Sequence, residues 1–402
     1  MIDFHNEIVN FRDFGKETVV LSHEFEDQTI PVYVNEYWTS RQRQGHSLHE
    51  VSYRACFKPQ LPLFFIQRFT RPGDVVYDPF MGRGTTLLEA TLHQRVALGC
   101  DINPLSAILC GPRLRPPHPD DIFQRLTEID LTKKSEIWDD LLVFYHPDTL
   151  QQICALRDYF LEKQQAGTLD EADAWLRMVA TNRLSGHSPG FFSVYSLPPN
   201  QAVSIASQQR INSKRNQVPP QRDVKKIIAR KSNQLLGDLG EIDRMQHRRT
   251  GELGKIITGN CSSVPTVADG TVSLAITSPP FLDIVQYDQD NWLRCWFNGI
   301  DSKKVEIWQW RKPADWQNAM AGVFREMYRI LKPGGIVAFE VGEIRKGKIV
   351  MEDLVIPIAS AAGFHIECVM INSQVFTKTS NCWGVDNLSK GTNTNRIIVM
   401  RK

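Results

Sequence analysis

Residues 73–104, GDVVYDPFMGRGTTLLEATLHQRVALGCDINP, constrain this chain more tightly than any other stretch. Asp74-Val75-Val76-Tyr77 is a short, apolar, β-rich run that reads as a buried strand. Asp78-Pro79-Phe80 ends it, and Gly82, Gly84, Thr85 and Thr86 make a tight turn into Leu87-Leu88-Glu89-Ala90, the start of an amphipathic helix. A second apolar run, Val96 to Cys100, stops on Asp101. Glycines let the turn adopt positive φ and let a ligand approach bare backbone. A strand–glycine turn–helix unit holds that ligand at the carboxyl end of the strand. Asp101, about 20 residues downstream at the tip of the next strand, sits where a carboxylate accepts both hydroxyls of a ribose.

The turn reads Asp-Pro-Phe-x-Gly-x-Gly-Thr-Thr, which is neither G-x-G-x-x-G nor G-x-x-x-x-G-K-[ST], so both phosphate-cradling patterns lose ground. The leading carboxylate, Asp78, suits a ligand that carries an ammonium and a sulfonium better than a pyrophosphate. D-P-F-x-G-x-G-T-T resembles the first motif of the amino-methylating DNA methyltransferases, which binds S-adenosylmethionine. The resemblance implies that Asp78, Pro79, Phe80, Gly82, Gly84, Thr85, Thr86 and Asp101 hold that cofactor. It adds Lys58 and Pro59, because a helix carrying K-P just before the D-P-F strand closes over the methionine end of the cofactor in that family. From the residues alone, Leu61 to Phe69 is a helix packing on the sheet.

A second chemical centre follows another β-rich run. Val272-Ser273-Leu274-Ala275-Ile276 ends on Thr277-Ser278-Pro279-Pro280-Phe281. Two prolines cannot continue a central ladder, so the strand stops there. Their fixed φ leaves carbonyls pointing outward, and these carbonyls with the Ser278 hydroxyl can accept hydrogen bonds from an exocyclic amino group. The amine's lone pair then becomes more available to an electrophilic methyl. Phe281 offers a flat face for stacking a base taken out of the duplex. In the family that the chain resembles, S-P-P-[FY] is the usual catalytic tetrad of cytosine-N4 enzymes and D-P-P-[FY] that of adenine-N6 enzymes. Ser278, Pro279, Pro280 and Phe281 therefore imply cytosine N4, with adenine N6 as the alternative. Gly259-Asn260 stands where the family has Gly-Asp, whose carboxylate contacts the adenine amino group of the cofactor; the side-chain oxygen of Asn260 can accept the same hydrogen bond.

The motifs run Lys58-Pro59, D-P-F-x-G-x-G-T-T, Asp101, a long insertion, Gly259-Asn260 and S-P-P-F. This order resembles the family's beta-group set permuted into the alpha-type order, which implies a target-recognition region between the two halves. The expected division is 1–114 for the cofactor-binding half, 115–252 for the insertion and 253–402 for the catalytic half. The insertion is rich in prolines and acids over 115–175, where the acids read as a solvated surface, and helical periodicity marks Thr149–Gln164 and Glu171–Ala180. After the loop-like Leu184–Tyr195 it turns basic. Arg210, Lys214, Arg215, Arg222, Lys225, Lys226, Arg230, Lys231, Arg244, Arg248 and Arg249 meet Asp223, Asp238, Glu241 and Asp243. Eleven cations against four acids leave a local excess of seven in a chain whose net charge is +2, the footprint of a polyanion partner. The first eight of these cations are the expected contacts to double-stranded DNA.

Strands and helices alternate on both sides of the insertion, which predicts a mostly parallel sheet. Phe364–Phe376 and Arg396–Met400 add an antiparallel edge. Combined with the resemblance, the expected fold is α/β: a Rossmann-like class I S-adenosylmethionine-dependent methyltransferase with a seven-stranded sheet and an inserted, mainly helical recognition region. No apolar run spans a bilayer, and the charged N-terminus lacks a signal-peptide core, so the expected location is the cytoplasm. Eight scattered cysteines without C-x-x-C, with Cys100, Cys110 and Cys368 in apolar surroundings, read as reduced thiols rather than disulfides or a metal site. None follows proline, which fits direct transfer without a covalent cysteine adduct. A restriction–modification setting with a cognate endonuclease is the expected context. The competing expectations are an RNA or protein amide methylase and a catalytically silent DNA-binding module that keeps the cofactor fold.

Overall fold

The computed structural model describes residues 4–39, 45–54, 56–197, 202–280, 287–310, 312–342, 350–373 and 394–402. Its strands are β1 (Val19–Phe25), β2 (Gln28–Asn35), β3 (Val75–Asp78), β4 (Val96–Asp101), β5 (Lys255–Thr258), β6 (Val272–Thr277), β7 (Leu331–Val341), β8 (His365–Ser373) and β9 (Thr394–Arg401). They form one sheet in the order β1-β2-β8-β9-β7-β6-β3-β4-β5. The run β7-β6-β3-β4-β5 is parallel throughout, and β9 lies antiparallel between β7 and β8.

Period-two alternation explains how this sheet is buried on both faces. Val76, Ala97, Leu274, Ile336 and Ala338 enter one apolar core, and Tyr77, Leu98, Ala275, Val337 and Phe339 enter the other. The seven expected strands are present, and two more extend the edge. The apolar run Ile30–Val34 belongs to β2, which pairs in parallel with β8, and β1 pairs antiparallel with β2. β1 gave no periodic signal because the edge is solvated on both sides: Val19, Val20 and Leu21 are 54%, 52% and 53% exposed. Lys332-Pro333-Gly334-Gly335 is a bulge inside β7, where the register jumps between Val272↔Leu331 and Leu274↔Ile336 and Gly334 takes φ +77°.

Strand order reverses between β3 and β6, so the crevice at their carboxyl ends is the topological switch point, where open α/β sheets bind ligands. The helices Thr85–Leu92 and Pro104–Leu114 follow β3 and β4. The insertion is mainly helical, as expected, with Pro119–Glu128, Pro147–Ala166, Glu171–Arg183, Ile205–Arg215, Val224–Leu236 and Glu241–Leu253. Its apolar side chains, among them Trp175, Leu176 and Ile228, join the same core as Val76 and Leu88, so the core runs across residue 114 without a break. The final helix crosses the chain closely: a Cβ on Gly251 would come within 1.9 Å of the Leu114 carbonyl oxygen.

The acids of the insertion correct one expectation. Asp173 is fully buried rather than solvated, and it accepts hydrogen bonds from Arg125 (2.6 Å), Lys163 (2.8 Å) and the Tyr159 hydroxyl (2.8 Å). Burial alone would raise its carboxyl pKa, but these donors outweigh that and hold it below the usual value. Seven described cysteines are free thiols, Cys100, Cys110 and Cys368 among the buried ones. Among the described residues no helix is long and apolar enough to cross a membrane. Asp173→Ala strands two cations beside a buried site and should lower unfolding free energy by about 3–5 kcal/mol in urea titration; a loss under about 1 kcal/mol contradicts this role.

Candidate active site

The site is built on the adjacent tips of β3 and β6. Tyr77 pairs with Ala275, which brings Asp78 level with Ile276 and within reach of the next residue, and the Thr277 hydroxyl donates to Asp78 Oδ1 at 2.6 Å. The Phe80 amide donates to the same oxygen at 3.1 Å. Burial is the largest influence on the Asp78 carboxyl and pushes it up to about 6, against the pull of hydrogen bonds from Thr277, Thr86 and Phe80; the nearby charge of Asp101 adds to the rise. One strand over, Asp101 closes the glycine turn. Its Oδ2 accepts from the Gly82 amide at 2.9 Å and its Oδ1 from the Asn103 amide at 2.8 Å. Burial raises this carboxyl too.

Gly82 takes φ +49° and Gly84 φ +78°, conformations that side chains disfavour. Gly84 has a second constraint, because a Cβ there would lie 2.2 Å from Cys110 Sγ, which locks the turn against helix Pro104–Leu114. Arg83 donates to the carbonyls of His49 (3.1 Å) and Val51 (2.9 Å), drawing the segment that carries Tyr53 over the turn.

These tips line a cavity that opens to solvent and, counting that open space, holds about 700 Å³. Pro79, Phe80, Gly82 and Asp101 line one part of it, Asn260 another, and Ser278 and Pro280 the end at β6. Seven of the residues singled out in the sequence thus share one space. Asp78 does not line it: the carboxylate lies beneath, joining strands, so its expected contact with a cationic ligand gives way to a clasp role. Gly84, Thr85 and Thr86 are likewise beneath the cavity, in the packed first turn of the helix, and Pro279 is buried. Phe281 lies outside the described residues.

Lys58 and Pro59 depart from expectation. Pro59 caps helix Gln60–Phe69 and lines a separate cavity with His46 and Glu89, its ring packed where a Cβ on Gly45 would sit at 3.2 Å. Lys58, next to it in the chain, is not among the described residues lining the β3–β6 cavity. Two more departures concern acceptors. Asn260 Oδ1 already takes hydrogen bonds from the Ser262 amide (2.9 Å) and hydroxyl (2.8 Å). The Pro280 carbonyl already accepts from the Trp316 indole N–H at 3.1 Å.

Three side chains at the site were not anticipated. Tyr53 and Trp308 line the cavity, with Trp308 edge-on to Phe80 at 6.1 Å between ring centroids. Both come from segments without strand or helix periodicity. Glu340, 5% exposed, lies behind Ser278 and accepts its hydroxyl, and Asn395 Nδ2 donates to it at 2.9 Å. A carboxylate ending an apolar run was the signal that found Asp78 and Asp101, and Phe339-Glu340-Val341 carried it as well.

The eight expected polyanion contacts divide. Arg222, Lys226, Arg230 and Lys231 line a groove with Arg183 and Ser188-Pro189-Gly190, while Arg210, Lys214 and Arg215 are exposed on helix Ile205–Arg215. Lys225 reaches the Thr127 carbonyl at 3.1 Å. Lys231 is buried and paired with Glu50 at 3.2 Å, so its charge is largely spent within the protein.

Residues 19–106 match the family model of DNA methylase, N6_N4_Mtase. The chain is 35% identical over 75 residues to the Type II methyltransferase M.MjaII of Methanocaldococcus jannaschii, covering 19% of this chain and 14% of that protein. It is 23% identical over 292 residues to the Type II methyltransferase M.BsoBI of Geobacillus stearothermophilus, covering 65% of this chain and 55% of the relative. The matches thus span about half or less of these relatives' lengths. Among solved structures, the rRNA methyltransferase aviRa of Streptomyces viridochromogenes aligns over 91% of this chain and 96% of its own at 12% identity, with a TM-score of 0.35.

The clasp has a pH signature. Unfolded, Asp78 titrates near 3.8; folded, near 6, so between those values only the native state holds the proton and stability falls as pH rises. Two units amount to about 2–3 kcal/mol. Asp78→Asn should therefore gain about 2–3 kcal/mol relative to wild type between pH 4 and pH 7 in urea unfolding; a difference that stays constant with pH contradicts the assignment.

Proposed function

We propose that this protein transfers a methyl group from S-adenosylmethionine to an exocyclic amino nitrogen in duplex DNA, cytosine N4 in preference to adenine N6. The observation that carries the reading is the single cavity running from the Gly82–Asp101 turn to Ser278 at the next strand tip. The matches to DNA methylase and Type II methyltransferases support it, and the Ser-Pro-Pro-Phe sequence favours cytosine.

The residues fit the cofactor's chemistry. After binding two backbone amides, the Asp101 carboxylate keeps lone pairs for the two ribose hydroxyls. Phe80, Ile102 and Trp308 give the cavity apolar walls for a purine, and Asn260, with its oxygen engaged by Ser262, retains its amide N–H groups as donors. The cofactor supplies a methyl already activated by its sulfonium, so the protein's work is alignment and electrostatic support. Ser278 and the Pro279 carbonyl hold the target amine at the other end, while Trp316 fixes the Pro280 carbonyl and with it the turn. DNA would lie along the groove of Arg183, Arg222, Lys226 and Arg230, where charge neutralisation supplies sequence-independent affinity. A restriction–modification role with a partner endonuclease follows from the same resemblance.

Incubating the protein and DNA with methyl-labelled S-adenosylmethionine, then digesting to nucleosides, should yield labelled N4-methylcytosine. Label in N6-methyladenine would overturn the choice of base, and no label would favour a silent DNA-binding module. Gly82→Val places a branched side chain at φ +49° in the cavity and should abolish cofactor binding in titration calorimetry; unchanged affinity removes the cofactor assignment.

A further inference from the structure

Methylating an amino group leaves a nitrogen with one proton too many, and the site needs a group to take it. Among the described residues lining the cavity, Asp101 is the one carboxylate, and it is occupied at the far end by the Gly82 and Asn103 amides. Ser278 at the near end cannot keep an extra proton. Behind it stands Glu340. Phe339 pairs with Thr277 across β7 and β6, which sets the next residue of each strand, Glu340 and Ser278, side by side at the tips. The Ser278 hydroxyl donates to the Glu340 carboxylate, and Asn395 from β9 holds its Oε1. A hydroxyl that donates backward presents its oxygen lone pairs forward, toward the cavity that Ser278 lines.

We propose that Glu340 is the terminal proton acceptor of the methyl transfer, acting through the Ser278 hydroxyl. This rests on the methyl-transfer reading above. The amine lone pair forms the N–C bond while the C–S bond breaks and its electron pair stays on sulfur, leaving a neutral thioether. The nitrogen, now carrying a positive charge, passes a proton to Ser278 Oγ as the Ser278 hydroxyl proton moves to a Glu340 oxygen. The product is a neutral methylamino group and a protonated Glu340, which later returns its proton to water. Glu340 is thus a positioning residue for Ser278 as well as the proton's destination.

Its surroundings suit the task. Glu340 is 5% exposed, and burial raises its carboxyl above the usual range, against hydrogen bonds from Ser278 and Asn395, which makes the ionised form a stronger acceptor. The polar groups facing it are Ser278 from the β6 tip and Asn395 from β9. The neighbouring cation on β9, Arg396, is paired with Glu352 of helix Glu352–Ala361, so among the described residues no cation is committed to Glu340 itself.

The test is single-turnover methylation of duplex DNA by the full chain. Glu340→Gln keeps the shape and one acceptor oxygen but takes up no proton, and should slow the methyl step by about 100-fold or more. Cofactor affinity by calorimetry and DNA affinity should stay within about twofold. Wild-type single-turnover rate should fall as pH drops through the Glu340 titration, and Glu340→Asp should recover part of the rate lost in the Gln variant. Glu340→Gln with near wild-type turnover, or with cofactor affinity lost in step with turnover, overturns the proposal. So does a wild-type rate that stays flat as pH falls from 8 through the ordinary carboxylate range, a result that needs no variant to fold. Ser278→Ala separates the two levels: if it is inactive while Glu340→Gln is active, only the proton route fails, and if both are fully active the reading of the β6 tip fails with it.

Discussion

The Thr277 hydroxyl, donating to Asp78 at 2.6 Å, joins two strand tips that lie 199 residues apart in sequence. The rest of the site depends on that contact. β3 carries the glycine turn and β6 the serine–proline turn, and a sheet whose order reverses between them leaves a crevice rather than a packed wall. The clasp fixes how far apart the two turns stand, and therefore whether a donor held by one can reach an acceptor held by the other. In-line transfer is sensitive to misplacement on the scale of an ångström, so a buried, short, charge-assisted hydrogen bond is a fitting device.

That device has a cost. Asp78, Asp101 and Glu340 stand at the carboxyl ends of β3, β4 and β7, with β6 between β7 and β3, and burial raises the carboxyl of each. Desolvated carboxylates disfavour folding unless donors compensate, and here Thr277, Thr86, three backbone amides, Ser278 and Asn395 do so only in part. Groups perturbed in this way gather where a protein performs chemistry. The helical insertion shows the contrasting case: at Asp173, Arg125, Lys163 and Tyr159 outweigh burial and hold the carboxyl low, the pattern of a structural ionic lock.

Local signals in the sequence were strong where a few residues decide the geometry. The run Asp74–Tyr77, the glycines at 82 and 84 and the stop at Asp101 specify a strand, a left-handed turn and a second strand without help from the remainder of the chain. The residues that escaped prediction, or changed role, are those whose partners are remote. Trp316 takes the Pro280 carbonyl from 36 positions away. Pro59 turns toward Gly45 and another cavity because helix Gln60–Phe69 starts there, which no spacing rule reveals. The edge strand β1 is exposed on both sides, where alternation has nothing to report. Basic residues counted along 210–231 separate in space into a groove, an exposed helix and one buried pair, because charge in sequence does not specify the face on which it emerges.

A crystal structure of the protein with S-adenosylhomocysteine tests the central claim most directly. The account predicts the ligand in the cavity between Gly82 and Ser278, its ribose hydroxyls on Asp101 and its sulfur facing the Ser278-Pro279 turn. Ligand bound elsewhere, such as in the cavity of His46 and Pro59, or a sulfur pointing away from β6, would contradict it.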